Sequence, residues 1–241
     1  MKLSAPIFIL KQQAKALSQR ENLRLHAALD QVATREGFEA WSHLASAWQR
    51  TEAIRSVYDK LRPGDLILLG SRPGQGKTLL SIGLAVEAMT RGHRAAFFTL
   101  EFTAADVEAL FKVVGLSQQN FKGKWLLDMS EDLSAAYIAR RLPSEPPGTV
   151  IVVDYLQLLD QRRDKPSLAQ QVHELKAHAQ KHLSIVVCLS QIDREFKPLA
   201  QGVPSMHDVR LPNPIDLSVF DKACFLHAGQ MQLHTVAASA A

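Results

Sequence analysis

The sequence predicts an α/β protein: a mostly parallel sheet with helices on both faces, preceded by a small helical module. Three observations carry this. From about Tyr58 onward, short apolar runs alternate with amphipathic stretches, the pattern of strand–helix–strand units whose strands are buried on both faces. One of those runs, DLILL, leads straight into the Gly-rich turn GSRPGQGKT and then into the apolar-periodic LLSIGLAVEAM. Before Tyr58, by contrast, apolar residues recur only at helical spacing.

The N-terminal segment divides into three short helices. Leu10, Ala14 and Leu17 mark the first, Leu25, Leu29 and Val32 the second, and Phe38, Trp41, Leu44 and Trp48 the third. Gly37 follows VATRE and suits the left-handed position that ends a helix. The expected division is a basic helical module over residues 1–55 and an α/β domain over 56–241. Within the latter, LILLG, AAFFTLE, KWLLDMS, TVIVVDYLQLL and SIVVCLSQ read as strands, and 78–90, 104–114, 133–142 and 167–182 as helices.

Composition narrows the class of protein. With 241 residues and 46% hydrophobic content, one large core plus a small appendage can be buried, whereas two full domains would be cramped. No apolar run approaches the ~18 residues of a membrane span. The MKLSAPIFIL start is broken by Pro6 and lacks a small-residue cleavage site, so a cytoplasmic protein is expected. Cys188 and Cys224 sit in apolar runs and read as buried free thiols of a reducing compartment. The net charge of +4 is all N-terminal: residues 1–62 hold ten Lys/Arg against six Asp/Glu, and the remainder eighteen of each. That surface suits a partner or nucleic acid, or is simply a solvated face.

The strand–turn–helix context makes GSRPGQGKT a phosphate-binding loop. Consecutive backbone N–H groups at a helix N-terminus attract an anion, and Gly74 and Gly76 supply the backbone freedom that such a nest needs. Ser71, Arg72, Pro73, Gly74, Gln75, Gly76, Lys77, Thr78 and Leu79 are the expected nucleotide contacts. Ser71 occupies the position that usually holds the first glycine, and Gly70 stands just before it.

Three polar residues end apolar runs downstream of that loop. Asp154 closes TVIVVD and would hold Mg²⁺ together with Thr78. The apolar YLQLL after it argues against a helix start there. Glu101 closes AAFFTLE and would orient and deprotonate an attacking water. Its other reading is the first turn of the next helix, where Thr103 would cap and negative charge is favoured. Gln191, after VVCLS, is placed to sense a γ-phosphate. His178 and His182 are four apart, a spacing zinc can use, but without a third ligand they read as a solvated helix face.

The segments SRPGQGKT, TLEF, VIVVDYLQLL and VVCLSQIDR, in this order and at this spacing, closely resemble the RecA-like ATPase domain of DnaB-type replicative helicases. DMSEDLSAAYIARRL and LAQQVHELKAHAQKH resemble the segments between that family's motifs. The resemblance covers roughly residues 57–228. It implies a RecA-like P-loop fold using ATP and Mg²⁺, with Lys77 on the β/γ-phosphates, Thr78 and Asp154 at the metal, Glu101 as the water-activating base and Gln191 linking nucleotide state to a DNA loop.

The departures from that family shape the functional expectation. DVRLPNPID keeps Asp208 and Arg210 but places Leu211, Pro212 and Pro214 where the family has a flexible DNA-contacting loop. The family's Lys-x-Arg finger, which reaches a neighbour's γ-phosphate, has no counterpart in FLHAGQMQLHTVAASAA, and basic helices stand where the family has a large scaffold. The expectation is a Mg-dependent, slowly hydrolysing ATPase of DNA metabolism. The alternative is a nucleotide-gated regulatory module without unwinding activity. Lys165, Arg194 and Arg210 are the candidate contacts to single-stranded DNA. Arg194 is also the substitute finger if the chain forms a homo-oligomer.

Overall fold

The computed structural model describes residues 3–160, 165–193, 195–196, 202–211, 213 and 215–236. A seven-stranded sheet forms the centre, in the order β3-β2-β4-β5-β1-β6-β7. The strands are β1 (Leu66–Ser71), β2 (Ala95–Thr99), β3 (Trp125–Asp128), β4 (Val150–Asp154), β5 (Ile185–Gln191), β6 (Lys222–His227) and β7 (Gln230–Thr235). All neighbours pair in parallel except β6 and β7, which form an antiparallel edge hairpin.

Alternation along each strand divides the core into two layers. Ile67 and Leu69 of β1, Phe97 of β2 and Val150 and Val152 of β4 face one layer with Ile82, Ala85 and Phe111. Leu66, Leu68, Phe98, Ile151 and Val153 face the other, with Ile138, Val172 and Leu175. Successive side chains of a strand point to opposite faces, so apolar residues at both parities require helices on both sides. Those helices are α4 (Lys77–Thr90) and α5 (Ala104–Val113) on the first face, and α6 (Ala135–Arg141) and α7 (Leu168–His182) on the second.

The N-terminal helices are α1 (Ile7–Arg20), α2 (Leu25–Arg35) and α3 (Trp41–Tyr58). Leu10, Ala14, Leu17, Ala28, Val32 and Leu44 bury one another in a separate small core. The end of α2 is a Schellman motif: Gly37, at φ 85°, donates to Thr34 O at 3.0 Å, and Phe38 donates to Ala33 O at 2.9 Å. Helix α3 is longer than the spacing of its aromatic residues predicts. Its first half belongs to the small core, and its second half, with Ile54, Val57 and Tyr58, packs into the first layer of the sheet domain. The helix runs unbroken through residue 55, so no linker separates the two parts.

The expected elements appear with small differences. β2 ends at Thr99, two residues before Glu101. TVIVVDYLQLL is not one strand, because β4 stops at Asp154 and a 3₁₀ turn covers Leu156–Asp160. The β7 strand and its hairpin with β6 come in addition to the expected elements. No helix among the described residues is long and apolar enough to cross a membrane.

Candidate nucleotide site

Register brings the site residues to one edge of the sheet. Ser71 at the end of β1 pairs with Gln191 at the end of β5, and Thr99 at the end of β2 pairs with Asp154 at the end of β4. The carboxyl ends of parallel strands, with the N-terminus of α4 between them, are where such sheets bind ligands.

The loop between β1 and α4 contains two left-handed residues, Gly74 (φ 76°) and Gly76 (φ 88°). Nothing lies within 4 Å of a Cβ added at either, so the concave side of the loop is open. Leu80 N donates to Gly76 O at 2.9 Å, so the helix starts immediately after the loop and leaves its first amides free for an anion. Ser71 is extended and fully buried as the last residue of β1, so this position needs no glycine. Gly70 does: a Cβ there would lie 2.7 Å from the Phe225 ring. Among the other expected contacts, Lys77 and Leu79 are half-buried and Pro73 is exposed. Arg72 contributes its carbonyl, accepting from Ser71 Oγ at 2.9 Å and Gln75 N at 3.3 Å.

Asp154 is fully buried and faces α4 across the sheet edge. Thr78 Oγ1 donates to its Oδ2 at 3.3 Å, and Oδ1 has no partner. Burial pushes the carboxyl up to about 7, opposed by the nearby Lys77 ammonium and reinforced by Glu101. A 3₁₀ turn does follow Asp154, contrary to the expectation from the apolar YLQLL run. The carboxylate nevertheless turns to Thr78. A buried carboxylate with an orphaned oxygen beside a hydroxyl is a hard-oxygen donor pair of the kind Mg²⁺ takes. The residues present therefore fit a magnesium–nucleotide complex.

Glu101 lies exposed in the loop after β2, its amide donating to Thr99 Oγ1 at 3.1 Å. It precedes the cap of α5, which is Thr103 in a capping box with Asp106. Its charge reaches both the Asp154 carboxyl and the Tyr155 hydroxyl and raises each. Gln191 is half-buried; its carbonyl accepts from Arg210 N at 2.9 Å, and the next amide, Ile192 N, donates to Ser71 O at 3.1 Å.

The DNA candidates divide. Arg210 is exposed near Tyr155, whose hydroxyl it pulls downward against burial. Lys165 directs its ammonium to Leu133 O (2.6 Å) and Glu131 O (3.5 Å), and so fastens the loop before α6. Arg194 lies outside the described residues, as do Pro212 and Pro214. His178 is buried rather than solvated, its ring 4.5 Å from that of His182 and its pKa lowered by burial. Among the described residues no group of three or more His, Cys, Asp or Glu could hold a metal ion.

Sequence reasoning missed Gln157 and Ser190. Gln157 Nε2 donates to Ser190 Oγ at 2.9 Å and to Arg210 O at 2.5 Å, fastening the ends of β4 and β5 to the Arg210 segment. A polar residue inside the apolar YLQLL was the available signal. A cavity of about 780 Å³ between α3, α4 and α5 contains none of Lys77, Thr78, Glu101 or Asp154.

Comparison with known proteins bears on the fold. Residues 122–232 match the DnaB-like helicase C terminal domain, a stretch that includes Asp154, Gln191 and Arg210 but not the phosphate loop. The replicative DNA helicase DnaB of Geobacillus stearothermophilus is 28% identical over 223 residues, covering 79% of this chain and 46% of that protein. A probable plasmid replicative DNA helicase of Chlamydia trachomatis is 26% identical over 180 residues, covering 62% of this chain and 40% of that protein. The chain thus spans less than half the length of these relatives. In fold, it superposes on a KaiC-like protein of the hyperthermophilic archaeon Pyrococcus horikoshii with a TM-score of 0.52 at 17% identity, covering 69% of this chain and 74% of that one. A DnaB-like replicative helicase, described with its interactions with primase, gives 0.55 at 15% identity over 90% of this chain and 66% of that one. Over residues 122–232 the chain is similar to the DnaB-like helicase C terminal domain, and its fold is the mostly parallel, helix-flanked sheet of RecA-like proteins.

Proposed function

We propose that this chain binds ATP with Mg²⁺ at the phosphate loop and hydrolyses it slowly, acting in DNA metabolism as a helicase-like ATPase. The observation that carries the reading is Asp154, fully buried, with Oδ2 3.3 Å from the Thr78 hydroxyl and Oδ1 unpartnered. An uncompensated buried carboxylate is costly unless a cation meets it. Bound there, Mg²⁺ would neutralise charge on the phosphate oxygens.

The chain's own groups divide the remaining work. The α4 N-terminus and Lys77 hold the phosphates, Thr78 and Asp154 orient the cation, and Glu101 takes the proton of the attacking water. Gln191 stands between the loop strand and the Arg210 segment, the route by which nucleotide state would reach single-stranded DNA. Assembly with further copies and docking through the N-terminal helices belong to the same proposal.

Slow turnover is supported by the β6–β7 hairpin. Its turn, Ala228–Gly229, meets the chain's own phosphate loop through a backbone amide, Ala228 N donating to Gln75 Oε1 at 2.7 Å. It presents no cation to the phosphates. This contact also favours the second reading, a nucleotide-gated switch without unwinding activity. Calorimetric titration with ATP and Mg²⁺ tests the binding itself: Lys77→Ala should abolish detectable heat while the melting temperature stays put. Unchanged affinity would remove the phosphate-loop assignment.

A further inference from the structure

The N-terminal module meets the sheet domain around a cavity of about 780 Å³, walled by α3, α4, the end of α2 and the segment that runs from the end of α5 to Lys124. Ile54, Met89 and Phe121 are buried there and give it an apolar floor. The volume lies in the range of small-molecule sites, which pair apolar walls with a few polar groups that fix orientation. No residue of the loop between β1 and α4 contributes to it.

Its charge is one-sided. Five cationic side chains, Arg50, Arg55, Lys112, Lys122 and Lys124, line the cavity against two carboxylates, Glu36 and Glu87. Both carboxylates are engaged: Ser4 N donates to Glu36 Oε2 at 2.8 Å, and Arg91 Nε donates to Glu87 Oε1 at 2.8 Å. Arg55 is held by Glu52 at 2.9 Å and Glu87 at 3.5 Å, and Lys124 Nζ lies 3.4 Å from Met89 O. Arg50, Lys112 and Lys122 make no hydrogen bond or ion pair among the described residues; Lys112 acts on Glu108, one turn back along α5, only through space. Unpaired like charges around one cavity repel one another, and a multivalent anion removes that repulsion. The helix ends nearby do not take the cations up, because their last carbonyls are bonded to the chain's own amides. Gly115 N donates to Lys112 O at 2.9 Å and Leu116 N to Phe111 O at 3.0 Å at the end of α5, and His93 N donates to Ala88 O at 3.0 Å at the end of α4.

We propose that this cavity is a second ligand site, separate from the phosphate loop, for a small phosphorylated molecule with an apolar body. Its phosphates would meet Arg50, Lys112 and Lys122, and its body would rest on Ile54, Met89 and Phe121. Lysine ammonium groups are compact point charges and the guanidinium is a two-pronged donor, a set that suits phosphate oxygens. Arg50 belongs to the N-terminal module, whereas Lys112 and Lys122 belong to the sheet domain. An occupant therefore bridges the two and stabilises their packing by mass action. The inference goes beyond ATP binding and does not depend on it.

The probe is bis-ANS, an aromatic disulfonate whose sulfonates stand in for phosphates, titrated by fluorescence into the full chain. It should bind saturably and slow amide exchange over residues 47–55 and 112–124, a readout that needs no variant. The double variant Lys112→Glu, Lys122→Glu, altered at two exposed positions, should weaken it by about tenfold or more. Lys11→Glu with Lys15→Glu makes the same change of net charge on α1 and should leave affinity within about twofold, as should Lys77→Ala. Uncharged N-phenyl-1-naphthylamine should bind at least about tenfold more weakly than bis-ANS. Parental affinity in the Lys112/Lys122 variant, equal loss in the α1 variant, or equal binding of the uncharged dye would overturn the site. Loss of the dye on Lys77→Ala would place it at the phosphate loop, and its displacement by a single-stranded oligonucleotide would make these cations a nucleic-acid contact; either result overturns the proposal. None of these outcomes alters the ATP titration that tests the phosphate loop.

Discussion

The Thr78 hydroxyl stands 3.3 Å from Asp154 Oδ2, while Asp154 Oδ1, equally buried, meets no hydrogen-bond donor. The pair joins the first turn of α4 to the end of β4 and sets two hard oxygen donors side by side. Burial raises the Asp154 carboxyl from 3.8 to about 7, so the folded protein without metal favours the protonated form. The stabilisation from this group is complete below about pH 4 and is lost as pH rises through about 7, at most ~4 kcal/mol over that window. Urea unfolding of the metal-free protein across pH 4–8 should show this decline, and Asp154→Asn should flatten it. The same slope in the Asn variant would show that Asp154 is not the group titrating.

Glu101→Gln keeps the size and hydrogen-bonding reach of the side chain but cannot accept a proton. It should leave ATP and Mg²⁺ affinity within about twofold and slow phosphate release by roughly 10² or more. Glu101 precedes the capping box of α5 and takes no part in it, so helix stability should not change. Hydrolysis at the parental rate would leave Glu101 as a surface residue of the β2–α5 loop.

Gly83 shows why α3 can lie flat on α4. A Cβ there would come within 2.4 Å of Ile54 Cδ1, so two opposing terms act on Gly83→Ala. Relief of backbone entropy in a helix favours alanine by about 0.5–1 kcal/mol, and overpacking against a buried side chain costs about 1–3 kcal/mol. The substitution should therefore destabilise the parent. In an Ile54→Ala background, the clash is gone and only the propensity remains. Gly83→Ala should then be neutral or stabilising, and the double-mutant cycle should show coupling of about 1 kcal/mol or more. Additive effects would mean that α3 is not seated on Gly83 in solution.

The legible parts of the molecule were those whose pattern is local. Strands β1, β2, β4 and β5 show as apolar runs because both of their faces are buried, and α4, α5 and α7 fall within two residues of their predicted bounds. The turn from β1 into α4 was legible from glycine spacing between an apolar run and a helical pattern. The β6–β7 hairpin was not. Its turn is Ala228–Gly229, with Ala228 at φ 47°, where an Asn or Asp would have announced a type I′ turn. The contact that fixes Ala228 there, from Gln75, comes from 153 residues earlier in the chain. Likewise, the overall polarity of α7 makes His178 look solvated, whereas the docking of that helix on the sheet buries the face it stands on. The Gln157 junction depends on three segments meeting, which no single stretch of sequence shows.

That junction carries the last expectation. Gln157 Nε2 fastens Ser190 Oγ and Arg210 O, Arg210 N donates to Gln191 O, and Ile192 N donates to Ser71 O at the start of the phosphate loop. A rigid chain of bonds thus runs from the loop to the one exposed arginine of the candidate DNA segment that lies among the described residues. If single-stranded DNA is held by Arg210, affinity should fall with salt and Arg210→Ala should reduce the slope by about 0.7. Gln157→Leu keeps the bulk of the side chain and removes both bonds, leaving the Arg210 carbonyl and the Ser190 hydroxyl without this donor. It should leave ATP affinity within about twofold, since the hydrogen bonds of Gln157 go to Ser190 and Arg210 and not to the loop, yet abolish the difference in DNA affinity between ATP-bound and nucleotide-free protein. Fluorescence anisotropy with a labelled oligonucleotide, with and without ATP and Mg²⁺, reads both quantities in one series. An ATP-dependent DNA affinity that survives Gln157→Leu would place the coupling elsewhere, and a salt-independent affinity would take Arg210 out of the DNA site.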